Sequence, residues 1–138
     1  MIEYIFGDDT FAARKRIHEY ARSVSAQVHF VDKERIQSDS LEDIFNLAKG
    51  SLFGNILLVL EDPSVYSEDV REGILLYLEK TKTGNIILWD RSVDKRLTFY
   101  KKMKQLVSAK EYQQPKTEDA MISWIMDYAP GLSRDVCR

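Results

Sequence analysis

Apolar residues along this chain follow two alternating patterns. Short runs rich in Ile, Leu, Val and Phe are bounded by Gly, Pro or acidic residues, and such runs predict buried strands. Between the runs, apolar residues recur every three or four positions, which predicts amphipathic helices. The predicted strands are residues 2–6, 27–31, 56–60, 86–89 and 110–113. The predicted helices are residues 9–24, 39–48, 67–80, 93–107 and 117–129.

Strands and helices therefore alternate through the whole sequence. Such alternation predicts an α/β fold with a mainly parallel five-stranded sheet, flanked by helices and joined by right-handed crossovers. Residues 56–60 and 86–89 are apolar on both faces, as central strands usually are. Ligand sites in such folds lie at the carboxyl ends of the strands. Those ends are Gly7-Asp8-Asp9, Asp32, Glu61-Asp62 and Asp90-Arg91.

Composition narrows the class of protein. The 138 residues predict one domain, and 44% hydrophobic and 30% charged residues are ordinary for a soluble globular protein. A net charge of -2 gives no bulk attraction to nucleic acid or membrane. The single cysteine, Cys137, excludes a disulfide framework and a cysteine-based metal site. It favours a reducing, cytoplasmic compartment.

Membrane association and secretion are not predicted. The longest aliphatic run, at residues 56–60, is far shorter than the stretch of about 20 residues that spans a bilayer. The first residues lack the basic segment and long apolar run of a signal peptide.

The first strand is followed by a segment in which a phosphate-binding loop could occur. A P-loop needs a second glycine followed by Lys and Ser or Thr, and the residues after Gly7 contain neither. Asp8 and Asp9 stand where phosphates would bind and would repel them. The sequence therefore predicts a nucleotide-type architecture without a functional P-loop or a bound nucleotide. A degenerate nucleotide-binding signalling domain with residual nucleotide binding is the alternative.

The acidic residues admit a second interpretation. Asp8 and Asp9, together with Asp62, resemble the magnesium site of a receiver-like signalling domain, although the Ser or Thr and the Lys-Pro of that layout are missing. Helix capping is the preferred role for Asp8 and Asp9. His18 and His29 have no partner at metal-ligand spacing, and no nucleophile is paired with a base. We predict no metal, no cofactor and no catalytic residue.

A basic segment covers residues 91–110. It contains seven Lys and Arg side chains and one Asp, a net charge of +6. A solvent-exposed helix face is the simplest interpretation, and contact with DNA phosphates or an acidic protein surface is the alternative. The residues that would make such contacts are Lys95, Arg96, Lys101, Lys102 and Lys104.

Two large apolar side chains, Leu52 and Phe53, stand between Gly50-Ser51 and Gly54. Turn-forming residues usually mark exposed backbone, and exposed large apolar groups usually indicate a binding partner. The alternative is that Phe53 folds back onto the core. The residues alone favour neither.

Four motifs resemble one family, the N-terminal domain of the delta subunit of bacterial DNA polymerase III, a clamp-loader subunit. The motifs extend over nearly the whole chain and occur in the family's order. They are Tyr4-Ile5-Phe6-Gly7-Asp8-Asp9-Thr10-Phe11, Ser51-Leu52-Phe53-Gly54 with Leu57-Leu58-Val59-Leu60, Asp94-Lys95-Arg96 with Phe99-Tyr100-Lys101, and Trp124-Ile125.

The resemblance implies a P-loop NTPase (AAA+)-like fold that has lost ATP binding. It implies that Leu52 and Phe53, flanked by Ser51 and Gly54, insert into a hydrophobic pocket of the sliding clamp (the beta subunit) and help to open the ring for loading onto DNA during replication. The domain would be a non-catalytic part of the DNA-directed DNA polymerase complex. Its partners would be the clamp, other loader subunits and, indirectly, DNA.

The resemblance also sets a domain boundary. Residues 1–130 would form the clamp-binding α/β domain, and residues 131–138 would be the truncated start of a lid domain. We therefore expect this chain to be a piece of a longer protein and to lack the collar that assembles the loader.

Overall fold

A computed structural model describes residues 1–36, 41–49, 54–81 and 83–114 of the chain. The strands are β1 (Ile2–Phe6), β2 (Ala26–Val31), β3 (Asn55–Glu61), β4 (Ile86–Asp90) and β5 (Ser108–Glu111). The helices are α1 (Thr10–Ser23), α2 (Leu41–Leu47), α3 (Glu68–Lys80) and α4 (Thr98–Leu106), with a 3-10 turn at Pro63–Val65.

The five strands form one sheet in the order β2-β3-β4-β1-β5. Every pair of neighbours is parallel, and β1 lies between β4 and β5 in the register Ile2 to Ile86 and Glu3 to Ser108. The predicted α/β fold with a parallel five-stranded sheet is confirmed. Because all strands run the same way, the sheet has one carboxyl edge and one amino edge, where the strands end and begin.

Alternate side chains of the central strands enter two separate cores. On one face, Ile5, Val59 and Trp89 pack against α1. On the other face, Tyr4 and Leu60 pack among side chains of α2, α3 and α4. Both faces of β3 and β4 are thus buried, which explains why these strands are apolar at every position between their ends.

Two helices begin where their sequences predict. Asp9 caps α1 by accepting a hydrogen bond from the Ala12 amide at 3.0 Å. Ser67 caps α3 by accepting from the Val70 amide at 3.4 Å. Each cap supplies an oxygen to an amide that has no partner within the helix.

The predicted start of the basic helix, residue 93, is wrong. In the structure α4 starts at Thr98. The Asp94 carboxylate accepts from the Arg96 amide at 3.0 Å, and Leu97 has extended backbone. This local turn competes with helix formation. As a result, Lys95 and Arg96 lie in a turn that precedes the helix.

The predicted edge strand at residues 110–113 is shifted. The strand is Ser108–Glu111, because the α4 helix ends at Leu106 and its partner β1 ends at Phe6, opposite Glu111. Pairing therefore starts directly after the helix and stops where β1 stops.

Some predictions fall outside the described residues. These are the caps at Asp39 or Ser40, the helix at residues 117–129, the domain boundary after residue 130 and the side chains of Ser51, Leu52 and Phe53. Within the described ranges, no helix has the length and apolar character needed to cross a membrane.

Candidate functional site

At the carboxyl edge of the sheet, the loop that follows β1 is the position where a phosphate-binding loop could occur. The segment that follows β5 covers this loop. The Tyr112 amide donates to the Phe6 carbonyl at 2.7 Å, and the Tyr112 carbonyl accepts from the Asp9 amide at 3.0 Å. The Gln114 amide donates to the Asp8 carboxylate at 2.8 Å. The residues after β5 therefore occupy the space beside the loop that follows β1.

Gly7 allows this close approach. Its φ is +120°, and a Cβ atom built there would lie 2.1 Å from the Tyr112 carbonyl oxygen. Only a glycine fits a backbone of this conformation under a neighbouring carbonyl. The glycine that could suggest a phosphate loop instead serves packing between β1 and the segment after β5.

Asp8 and Asp9 have separate structural roles. Asp9 is 3% exposed and caps α1, whereas Asp8 holds the Gln114 amide. Helix capping is thus the role of Asp9 alone. Sequence inspection missed the part played by Gln114 because the contact joins residues more than 100 positions apart.

We expect Asp9→Ala to lower the free energy of unfolding by about 1 kcal/mol, because one amide of α1 loses its acceptor. Asp9→Asn keeps an oxygen there and should cost less. Urea denaturation of the three proteins checks this. If Asp9 instead helped to bind magnesium, millimolar MgCl₂ would raise the melting temperature of the wild type and not of Asp9→Ala, which would contradict the capping role.

Asp62 and Arg91 form an ion pair at the same edge. The Arg91 amide and Nε donate to Asp62 Oδ1 at 3.0 and 3.3 Å, and the guanidinium also contacts Oδ2. The guanidinium lies over the Trp89 ring, 5.3 Å from its centroid. Asp62 is therefore engaged by both the backbone amide and the side chain of Arg91, the residue that follows β4.

Asp90 is fully buried behind this ion pair. Its Oδ2 accepts from the Tyr4 hydroxyl and from Ser64 Oγ, each at 2.6 Å, and Oδ1 accepts from the Ser64 amide at 3.0 Å. Within the described residues, no three His, Cys, Asp or Glu side chains converge in a way that could hold a metal ion. The carboxylates of Asp62 and Asp90 thus form hydrogen bonds that connect the ends of strands with neighbouring turns.

Burial raises the pKa of Asp90, and the hydrogen bonds from Ser64 and Tyr4 oppose that rise. A raised pKa in the folded state means that the contribution of Asp90 to stability is present in acid and is lost as the pH rises through its folded pKa. The three hydrogen bonds therefore stabilise the ionised form of this buried carboxylate against the cost of its burial.

We expect Tyr4→Phe to lower the free energy of unfolding by about 1–3 kcal/mol near neutral pH, because the buried Asp90 carboxylate loses a donor. The loss should be smaller in mildly acidic buffer, where Asp90 is protonated more often. Urea denaturation at both pH values checks this. If Tyr4→Phe lowers the free energy of unfolding equally at both pH values, the hydrogen bond from the Tyr4 hydroxyl does not depend on the charge of Asp90.

The amino edge is the edge where the described chain stops at Lys49 and resumes at Gly54. Gly54 is exposed and has a φ of +121°, and among the described residues none lies within 4 Å of the position of a Cβ atom built there. A cavity of about 390 Å³ lies here and is lined by Lys49, Asn55 and Gly84, among others. The Met1 ammonium donates to the Gly84 carbonyl at 2.7 Å.

The basic residues are distributed over a turn and a helix. Lys95 pairs with Glu111 at 2.9 Å, and Arg96 pairs with Asp94 at 3.1 Å. The side chains of Lys101, Lys102 and Lys104 are exposed on α4, and the Lys104 ammonium lies 5.4 Å from the centroid of the Tyr100 ring. Two of the five cations predicted as contacts therefore already have acidic partners.

Two solved structures have folds similar to that of this chain. The DNA clamp loader delta protein YqeN of Bacillus subtilis superposes with a TM-score of 0.69 over 99% of this chain and 46% of its own, at 11% identity. The Holliday junction branch migration motor RuvB of Thermotoga maritima superposes with a TM-score of 0.63 over 93% of this chain and 42% of its own, at 10% identity. No family profile and no curated protein matches the sequence.

These likenesses show the fold. The chain has the α/β architecture of a clamp-loader protein and of a P-loop NTPase-like motor, and it spans less than half the length of either. The predicted AAA+-like fold class is confirmed.

Proposed function

We propose that this chain is the N-terminal domain of a clamp-loader delta subunit and that it binds the sliding clamp through Leu52 and Phe53. The observation that carries the proposal is agreement between two independent likenesses. Nearly the whole chain has the fold of a clamp loader delta protein, and the sequence motifs resemble the same family. In this proposal Ser51 and Gly54 frame the two apolar side chains.

The arrangement of the amino edge supports the proposal. The Leu-Phe segment leaves the described fold at Lys49 and returns at Gly54, whose surroundings are open. Burial of one Leu and one Phe side chain, each worth about 1.5–3 kcal/mol, is a reasonable hot spot.

The closed carboxyl edge supports a non-catalytic role. The space beside Gly7 is taken by the backbone of Tyr112, and the first amides of α1 face Asp9. Under this proposal the chain hydrolyses no ATP and needs no cofactor. Other subunits of the loader supply the energy, and this domain holds or distorts the ring so that DNA can enter.

Three further elements belong to the proposal. Lys95, Arg96, Lys101, Lys102 and Lys104 would contact DNA or a neighbouring subunit. Residues 131–138 would begin a lid domain of a longer, cytoplasmic protein. The longer protein would assemble with the other loader subunits into the polymerase complex.

Binding of the cognate sliding clamp tests the function directly. Fluorescently labelled clamp is titrated with the untagged domain, and anisotropy reports complex formation. We expect saturable binding that is unaffected by ATP and magnesium. A domain that leaves the anisotropy of the clamp unchanged at the highest soluble concentration would refute the proposal.

A further inference from the structure

A cleft with a volume of about 370 Å³ lies between α1 and the edge strand β5. Its cationic side chains are Lys15 and Arg16 of α1 and Lys110 of β5. Lys110 is the register partner of Ile5, and Ile5 packs against α1, so both side chains lie on the face of the sheet that α1 covers. Cations from two separate elements therefore meet in one cleft.

Two of these cations are held in place by their neighbours. Arg16 donates to the Glu3 carboxylate at 2.8 Å, and Glu3 is only 8% exposed. The Lys110 ammonium lies 5.3 Å from the centroid of the Tyr112 ring, and the Tyr112 amide donates to the Phe6 carbonyl at 2.7 Å. A guanidinium has several N–H donors, so Arg16 can bind an anion and Glu3 together.

Two carboxylates also line the cleft and limit what it can bind. Glu3 is already paired with Arg16, and Glu19 lies about one turn further along α1. The three cations thus exceed the two carboxylates by a single charge. A lone small anion gains little from such an excess in a cleft open to water and salt, whereas an extended polyanion also reaches cations outside the cleft.

Further cations lie on the other face of β5. Lys95 pairs with Glu111 at 2.9 Å, and Glu111 is the register partner of Phe6, which packs in the core opposite α1. The hydrogen bond from Lys95 and the charge of Lys104 both lower the pKa of Glu111. Strand β5 therefore has cations beside both of its faces.

The charges of the helices are segregated in the same direction. Helix α1 carries four Lys and Arg residues against one Glu, and α4, which leads into β5, carries three Lys and no acidic residue. Helices α2 and α3, which connect the strands at the opposite end of the sheet, together carry six acidic and two basic residues. The field of the molecule therefore directs a polyanion to the β5 end.

We infer that the α1–β5 cleft binds the phosphate backbone of a nucleic acid. The inference goes beyond the proposed clamp binding and does not depend on Leu52 or Phe53. One phosphate lies between Lys15 and Lys110, where Arg16 also donates to it, and the neighbouring phosphates follow the edge of β5. Because the contacts are to the backbone, no base sequence is preferred.

The test measures binding of a fluorescein-labelled single-stranded oligothymidylate by anisotropy at low salt. We expect Lys15→Gln/Lys110→Gln to bind about tenfold or more weakly than the wild type, because two phosphate contacts are lost. The matched control is Lys33→Gln/Lys80→Gln, which removes the same charge from exposed lysines after β2 and at the end of α3. The control should bind nearly as the wild type does.

Salt dependence separates direct contacts from a general loss of positive charge. The slope of log affinity against log salt concentration should become shallower by about 0.7 for each phosphate contact removed. The control pair should leave that slope unchanged. Equal melting temperatures establish that the variants fold, and Lys110→Gln alone, with half the change in slope, replaces the cleft pair if that pair is destabilised.

Every other result overturns the inference. A wild type that does not bind the oligonucleotide, or a cleft variant that binds as the control does, shows that the cleft is not the site. If ATP displaces the oligonucleotide as well as unlabelled oligonucleotide of equal phosphate concentration, the cleft takes single anions. If polyglutamate displaces it equally well, the partner is an acidic protein. None of these results bears on clamp binding, which the titration of labelled clamp tests separately.

Discussion

Replacing Leu52 and Phe53 together by alanine should reduce the affinity for the sliding clamp about a hundredfold or more. Each side chain contributes about 1.5–3 kcal/mol when fully buried in a partner, and 1.4 kcal/mol corresponds to a tenfold change in affinity. The melting temperature of the double variant should stay close to that of the wild type, because the proposed role places both side chains outside the cores.

The control for this experiment is an apolar pair at the opposite edge. Phe11 is 53% exposed and Val65 is 55% exposed, so Phe11→Ala/Val65→Ala likewise truncates one exposed aromatic and one exposed aliphatic side chain. That variant should bind the clamp normally. The result that contradicts the prediction is a large drop in melting temperature for Leu52→Ala/Phe53→Ala, since it would mean that Phe53 folds back onto the core.

Gly7→Ala should be among the most destabilising single substitutions in the chain. The alanine would have to adopt a φ near +120° and place its Cβ atom 2.1 Å from the Tyr112 carbonyl oxygen. Backbone strain of this kind costs about 1–3 kcal/mol, and forcing an extra carbon into a packed site costs a further 1–3 kcal/mol or so. We expect urea denaturation to show a total loss of about 2–6 kcal/mol.

Gly54→Ala separates the two contributions. Gly54 has almost the same φ, +121°, but no residue of the described ranges lies within 4 Å of its Cβ position. Its substitution should therefore cost only the backbone strain, about 1–3 kcal/mol. The difference between the two variants measures the steric clash with Tyr112. Equal losses would mean that the segment after β5 moves aside easily, and the carboxyl edge would then not be firmly closed.

The helices and strands of the fold could be predicted well because they depend on local patterns. The runs of apolar residues at β3 and β4 are unbroken, and Ser67 precedes α3 with an oxygen suited to cap it. α4 was predicted to begin too early because the turn formed by Asp94 and Arg96 consists of charged residues that also suit a helix. The spacing of apolar residues does not distinguish this turn from the first turn of a helix.

The carboxyl edge illustrates what the sequence could not supply. Asp8, Asp9 and Asp62 were grouped because each follows a strand, and in the fold each has a different partner. Asp9 has a local partner, whereas the partners of Asp8 and Asp62 are brought to them by the order of strands in the sheet, in which β1 lies beside β5 and β3 lies beside β4.

The position of the Met1 amino group has a practical consequence for every binding experiment. Its ammonium donates to Gly84, and Gly84 borders the cavity that Lys49 and Asn55 also line. An affinity tag fused at this end would remove the charge and lay foreign residues against the edge proposed to meet the clamp. Such a tag could block the complex while leaving the fold intact. A label is better attached at the carboxyl edge, for example through Val65→Cys with the native Cys137 replaced by serine.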